Sequence, residues 1–281
     1  GIGSMVFTFG ALWVFSIITD GSVAALKGVV IFYAAMSVVS TFLVAWLYKP
    51  DDEAVAASGS VEKKQKATTR EILAVLKMPK IWLFSLLIFG VYGFYVGSSY
   101  LTPYFSTVLG VSVVFSGSLA TLKNYGTRLV GAPVAGAICD KIGRLKFIFF
   151  GFIVTIVLMV AFMLMPASNS ALIPIMVLMF ALALVNVSMK GVQFSVIDEM
   201  GVDPKVNGMA IAVATLVGFN LPDVALHPII GVILDKYEAV AAYKIVFGLL
   251  LGMLVLGFIV TMILMVMEKK AHKSPSPSKQ S

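Results

Sequence analysis

Four ionisable residues stand inside long apolar runs of this chain: Lys123, Arg128, Lys190 and Asp223. An ionised side chain at mid-membrane depth costs roughly 2.5 to 3.5 kcal/mol on insertion scales, so each is a candidate for binding or coupling. Helical spacing joins each charge to polar neighbours on one face. Thr121, Asn124 and Arg128 form one stripe, Asn186, Lys190 and Gln193 a second, and Asn220, Asp223 and His227 a third. A fourth face carries Tyr92, Tyr95 and Ser99, with Tyr100 beside it and Gly90, Gly93 and Gly97 close by. Three buried cations against one carboxylate suit an anionic solute: a sugar acid, a phosphate ester, a carboxylate or an inorganic anion. The candidate binding residues are therefore Tyr92, Tyr95, Lys123, Asn124, Arg128, Asn186, Lys190 and Asn220. Asp223 is the buried carboxylate available for proton coupling, with His227 one turn away. Pro222 interrupts the backbone ladder beside Asp223 and makes that helix a candidate for local unwinding. Structural roles compete with these. Lys123 and Asp223 can form an intramembrane ion pair, the asparagines can serve as interhelical hydrogen bonds worth roughly 0.6 kcal/mol each, and Tyr104 suits an interfacial aromatic belt.

Such residues need helices that cross a bilayer to hold them. Of 281 residues, 59% are hydrophobic and 12% charged, against roughly 25% charged in a soluble domain. The mean hydropathy is +0.99. Apolar stretches at 28 to 48, 81 to 105, 112 to 138, 146 to 166, 171 to 196, 206 to 234 and 242 to 267, with a shorter one at 2 to 19, take up more than two thirds of the chain. A hydrocarbon core about 30 Å thick is crossed by about 20 apolar residues in a helix. The expectation is an all-α polytopic membrane protein with eight transmembrane helices. A transmembrane barrel would instead alternate in segments of about 10 residues, and a signal peptide would be one short apolar run. The single cysteine, Cys139, allows no intrachain disulfide and no cysteine metal cluster. No His-Glu-x-x-His helix, Gly-x-Ser-x-Gly turn or phosphate-cradling glycine loop is present, so no enzyme, cofactor or metal is expected.

The 21 Lys and Arg residues outnumber the 14 Asp and Glu, and their distribution sets the orientation. With residues 49 to 80 cytoplasmic, fifteen basic residues lie inside and only Lys27, Lys236 and Lys244 outside. The positive-inside rule then puts the central loop and the C-terminus in the cytoplasm and removes nucleic acid as a partner. The expected organisation is two helices over 1–48, a cytoplasmic linker over 49–80, a six-helix unit over 81–268 and a disordered tail over 269–281. Within the linker, Thr68-Thr69-Arg70-Glu71 before Ile72 reads as a capped amphipathic turn along the membrane surface. Gly1 enters the first span without an initiator Met, as in a fragment of a longer protein.

Gly136-Ala-Ile-Cys-Asp140-Lys141 recurs as Gly231-Val-Ile-Leu-Asp235-Lys236, 95 residues on and three spans later. An odd number of spans places the two copies on opposite sides, the mark of an inverted 3+3 repeat. The first copy continues as Ile142-Gly143-Arg144-Leu145-Lys146. The whole stretch resembles the signature loop of the major facilitator superfamily, Gly-x-x-x-Asp-(Arg/Lys)-x-Gly-Arg-x-(Arg/Lys), with every specified position matched. The glycines suit a close helix approach at Gly136 and a tight turn at Gly143, and Asp140 stands where a carboxylate can meet Lys141, Arg144 or a helix N-terminus.

The resemblance implies that the chain carries helices 5 to 12 of twelve, with 81–268 as the C-terminal half. It also implies a secondary transporter of the inner or plasma membrane, monomeric when full length, that moves a small solute by alternating access, with H+ as coupling ion. Gly136, Asp140, Lys141, Gly143 and Arg144 would form a conformational latch, with Asp140 facing the start of the first span near Gly1 to Ser4. The other classes open to such a chain are a transporter-like receptor or sensor and a channel.

Overall fold

The computed structural model describes residues 2–18, 22–47, 75–202 and 204–273. Gly1, the stretch 48–74 with its expected capped turn at Thr68, and the tail after residue 273 lie outside the described residues. Eight helices and no strand are found among those described. Helices α1, Ile2–Ile17, and α2, Ser22–Leu47, form one compact unit. They pack through glycine, since a Cβ on Gly10 would lie 2.9 Å from the Phe32 ring and one on Gly28 would lie 2.3 Å from Ile18.

The second unit holds α3, Pro79–Thr107; α4, residues 113–142; α5, Arg144–Leu164; α6, Leu172–Glu199; α7, residues 204–236; and α8, Ala239–Lys273. Six of the eight helices are long and apolar enough to span a membrane by length and composition; α1 offers the shorter apolar run Val6–Ile17. Helix α4 falls outside that set although it is long enough, because Lys123, Asn124 and Arg128 dilute its apolar character. Starts and ends are dictated locally. Pro79 opens α3 at a position where its missing N–H is not needed. The Ser112 hydroxyl accepts from the Phe115 N–H to cap α4. Gly143, at φ +89°, is the sole residue between α4 and α5, a conformation that glycine adopts without steric penalty.

The helices alternate in direction. At one end Lys80 of α3 donates to Glu268 of α8 and to the Met200 carbonyl after α6, both at 2.9 Å. At the same end Glu199 of α6 accepts from the Arg144 and Leu145 amides that open α5, at 2.7 and 3.0 Å. At the opposite end Tyr104 of α3 meets Phe162 of α5 and Tyr243 of α8, ring centroids 5.9 and 5.4 Å apart. Asp140, closing α4, therefore lies at the first end and Asp235, closing α7, at the second, as the inverted repeat requires. Tyr104 is not in an aromatic belt. At 7% exposed it belongs to an aromatic cluster with Phe162, Tyr243 and Phe247, because its ring points inward among helices rather than out to a membrane surface.

Helix α3 is the centre of the unit: 67% of its span is buried, against 39% or less for the other five spans. Phe84, Leu87, Ile88, Val91 and Phe94 are fully buried on it. Without a hydrophobic drive between helices in lipid, small residues let backbones close in. A Cβ on Gly90 would come within 2.7 Å of the Gly257 Cα of α8, and one on Gly218 of α7 within 2.5 Å of Ile88. Exposed Phe150, Val154 and Val157 on α5 and Met262 and Val266 on α8 form the apolar exterior that lipid would wet.

These contacts predict opposite outcomes for two alanines. Gly90→Ala meets backbone that cannot swing aside and is expected to destabilise the unit by about 1–3 kcal/mol. Gly248→Ala, with nothing within 4 Å of its Cβ, is expected to leave stability unchanged. Thermal unfolding of both variants in detergent, followed by circular dichroism, is the check, and equal midpoints would contradict the packing.

Candidate functional site

Three of the sequence-selected charges meet on the tyrosine face of α3. Asn186 of α6, 2% exposed, donates to the Val91 carbonyl at 3.1 Å and so holds α6 against α3 beside Tyr92. One turn further on α6, the Lys190 ammonium lies 3.4 Å from the Tyr95 ring centroid and 4.9 Å from that of Tyr92. From α4, Arg128 Nη2 donates to the Tyr95 hydroxyl at 2.6 Å, and its guanidinium also lies 5.8 Å from the Tyr125 ring centroid. From α7, Asp223 accepts from the Tyr92 hydroxyl at 3.2 Å. Phe219 supports the group from below, its ring centroid 3.8 Å from Tyr92, with Phe194 stacked behind it at 5.4 Å. Arg128 and Asp223 are exposed and Lys190 half-buried, so the cations stay solvated while resting on aromatic faces. Each such cation–π contact is worth about 0.5–2 kcal/mol.

Lys123 does not join them. Its side chain is 2% exposed and its ammonium donates to the Ser98 carbonyl at 2.7 Å. That carbonyl belongs to the 3₁₀ turn Ser98–Tyr100 of α3, where it also accepts from the Leu101 amide. The alternative structural role, a Lys123–Asp223 ion pair, is likewise not formed. Among the described residues Asp223 makes no ion pair with Lys123 or Lys190, and its carboxylate is met by the Tyr92 hydroxyl instead.

Two wide turns shape the neighbourhood. Helix α4 opens into a π turn at Leu122–Gly126 and α7 into another at Leu216–Asn220. Helix α7 is not unwound beside Pro222; the π turn immediately before it absorbs the irregularity and the helix continues to Lys236. Asn124, half-buried, and Asn220, exposed, lie in these turns. Such bulges gather at functional sites. The two turns stand 94 residues apart, and the repeat offset of 95 that relates Gly136 to Gly231 also maps Arg128 onto Asp223 and Pro133 onto Pro228. Extending the repeat in this way was a signal available in the sequence that pairs the two charges. A second rung joins α3 to α7 nearer the end that carries Tyr104, where the Tyr100 hydroxyl and His227 Nδ1 are 3.0 Å apart.

Within the six-helix unit the signature stretch lies largely at the surface. A Cβ on Gly136 would meet nothing within 4 Å, so within these six helices no close approach is made there; Gly131, where a Cβ would meet Ser188 Oγ at 3.0 Å, is the tight point between α4 and α6. Asp140 and Lys141 are exposed. The carboxylate on a helix N-terminus is that of Glu199, and Arg144 pairs with Asp198 at 3.4 Å and reaches the Ser195 carbonyl at 3.5 Å. Asp198 and Glu199 escaped the sequence reading because nothing in their own spacing marks them; the folding of α6 back onto α5 brings them there. Of the stretch Gly1 to Ser4 that the resemblance sets against Asp140, Gly1 lies outside the described residues and Ile2 to Ser4 open α1 in the separate two-helix unit.

Comparison with known proteins agrees with this architecture. The chain is 26% identical over 281 residues to the inner membrane protein YqcE of Escherichia coli K12, an alignment covering 99% of this chain and 65% of YqcE. It is 26% identical over 267 residues to the inner membrane protein YihN of the same organism, covering 94% of this chain and 62% of YihN. The chain thus spans less than two thirds of the length of either relative. The model of the Major Facilitator Superfamily matches residues 1–222, through α1 to most of α7. The chain belongs to the Major Facilitator Superfamily.

Proposed function

We propose that the full-length protein is a secondary transporter of a small organic or inorganic anion, working as a monomer in the inner membrane with its C-terminus in the cytoplasm. What supports the anion is the convergence of Arg128 and Lys190 on Tyr95, two cations at one point against the single carboxylate of Asp223. An arriving carboxylate or phosphate competes with the tyrosines for both cations and makes charge-assisted hydrogen bonds, with Arg128 able to bind it through two N–H groups. Asn124 and Asn220, in the two π turns, supply neutral polar contacts for the rest of the solute. Asn186 serves the site by fixing α6, and Lys123 by fixing α4 against α3.

Coupling rests on Asp223 and His227, one turn apart on α7 and each held by a tyrosine of α3. Protonation of Asp223 removes the charge that offsets the cations and so favours anion entry, which links H+ and anion in symport. Rocking of the two six-helix halves would carry the loaded site across, with the loop at Asp140 and Arg144 as the latch.

Uptake and counterflow by the full-length protein in proteoliposomes, with a panel of labelled organic acids, phosphate esters and neutral sugars, tests this reading. A carrier shows trans-stimulation, whereas a channel or receptor does not. Arg128→Ala or Lys190→Ala is expected to weaken anion transport at least tenfold, the loss of one charge-assisted hydrogen bond of about 1.5–3 kcal/mol. Asp223→Asn should abolish proton-driven accumulation while sparing exchange. Lys123→Met should lower thermal stability without changing anion affinity. Uptake of a neutral sugar untouched by both alanine variants would overturn the anion assignment. For orientation, a fluorescent protein fused at the C-terminus should light up and a periplasm-dependent phosphatase fused there should stay inactive.

A further inference from the structure

A cleft of about 910 Å³ opens where four spans end, lined among others by Lys80, Leu145, Lys146, Met200, Met265 and Lys269. Its level is set by the spans themselves: Pro79 and Arg144 begin two of them, and Glu199 and Lys269 end two others. The cleft therefore sits at the depth of lipid headgroups, with apolar Leu145, Met200 and Met265 in its walls.

Three acids also border it, and each is already engaged. Glu268 accepts from Lys80 at 2.9 Å. Glu199 takes the two amides that open α5. Asp198 pairs with Arg144 at 3.4 Å. Lys146 and Lys269 are left exposed on the rim, and among the described residues neither makes an ion pair. Two free ammonium groups over an apolar-walled cleft at a membrane boundary match one chemistry: a phosphodiester headgroup with its acyl chains running down the apolar faces of α5 and α8. Basic pockets between membrane helices recognise anionic lipid in this way.

We propose that this cleft binds the headgroup of an anionic phospholipid, with Lys146 and Lys269 holding the phosphate. The site is separate from the tyrosine cluster and does not depend on the anion reading above. It adds a lipid requirement at the point where α3, α5, α6 and α8 are pinned together.

The test is native mass spectrometry of the full-length protein released from nanodiscs containing equal phosphatidylglycerol and phosphatidylcholine. Phosphatidylglycerol should be retained preferentially, and the exposed-site variant Lys146→Gln/Lys269→Gln should lose that preference by roughly tenfold while remaining folded by circular dichroism. Lys146→Arg/Lys269→Arg should keep it. Equal retention of both lipids, or an unchanged preference in the glutamine variant, would overturn the proposal. Displacement of the lipid by added glycerol 3-phosphate would also overturn it, assigning the cleft to a soluble anion. Protection of both lysines from an amine-reactive label in lipid-free detergent would do so as well, by assigning the cleft to another part of the chain.

Discussion

At Gly90 and Gly257 the backbones of α3 and α8 touch with no side chain between them, and the rest of the six-helix unit is arranged around that contact. Helices in lipid gain little by burying apolar surface against each other, so close packing through small residues is what holds them. Gly218 on α7 and Gly131 on α4 extend the same device to further interfaces. With α3 clamped on its glycine side, its tyrosines are confined to the opposite face. Tyr92 and Tyr95 then become the fixed platform on which α4, α6 and α7 each place one charge.

The inverted repeat explains why the charges arrive as they do. Arg128 and Asp223 occupy equivalent positions in helices that run in opposite directions, each following a π turn and each five residues before a proline. The equivalent position thus holds a base on one flank of the tyrosine pair and an acid on the other. Each is joined to a phenol rather than to its opposite number. A hydroxyl bridge of this kind leaves both charges able to respond to a third party, which a direct buried ion pair would not.

The boundary network works on a different principle. Charges there are near water, and single exposed pairs such as Arg144–Asp198 contribute little by themselves. Glu199 is different, because its carboxylate satisfies two amides of α5 that have no partner within their own helix, where the helix dipole also favours an anion. Together with Lys80, which bridges α8 and the end of α6, it makes one end of the bundle a cross-linked rim.

A charge in an apolar run announces itself, because nothing but a function or a specific partner sustains it there; hence Arg128, Lys190 and Asp223 were legible as candidates before any helix was placed. The span pattern and the alternation of direction were legible for the same reason, since the bilayer imposes a length and leaves helices as the economical solution. Gly143 was readable as a turn because a positive φ asks for glycine. What sequence alone left open was which charge meets which partner. Lys123 carries the same signal as Arg128, yet it is spent on the Ser98 carbonyl, since the packing of α4 against a different helix decides that. Glu199 caps α5, and Tyr104 is interior rather than interfacial, because both depend on how remote segments pack. Local chemistry determined the list of candidates, and tertiary contact between helices distant in sequence decided their roles.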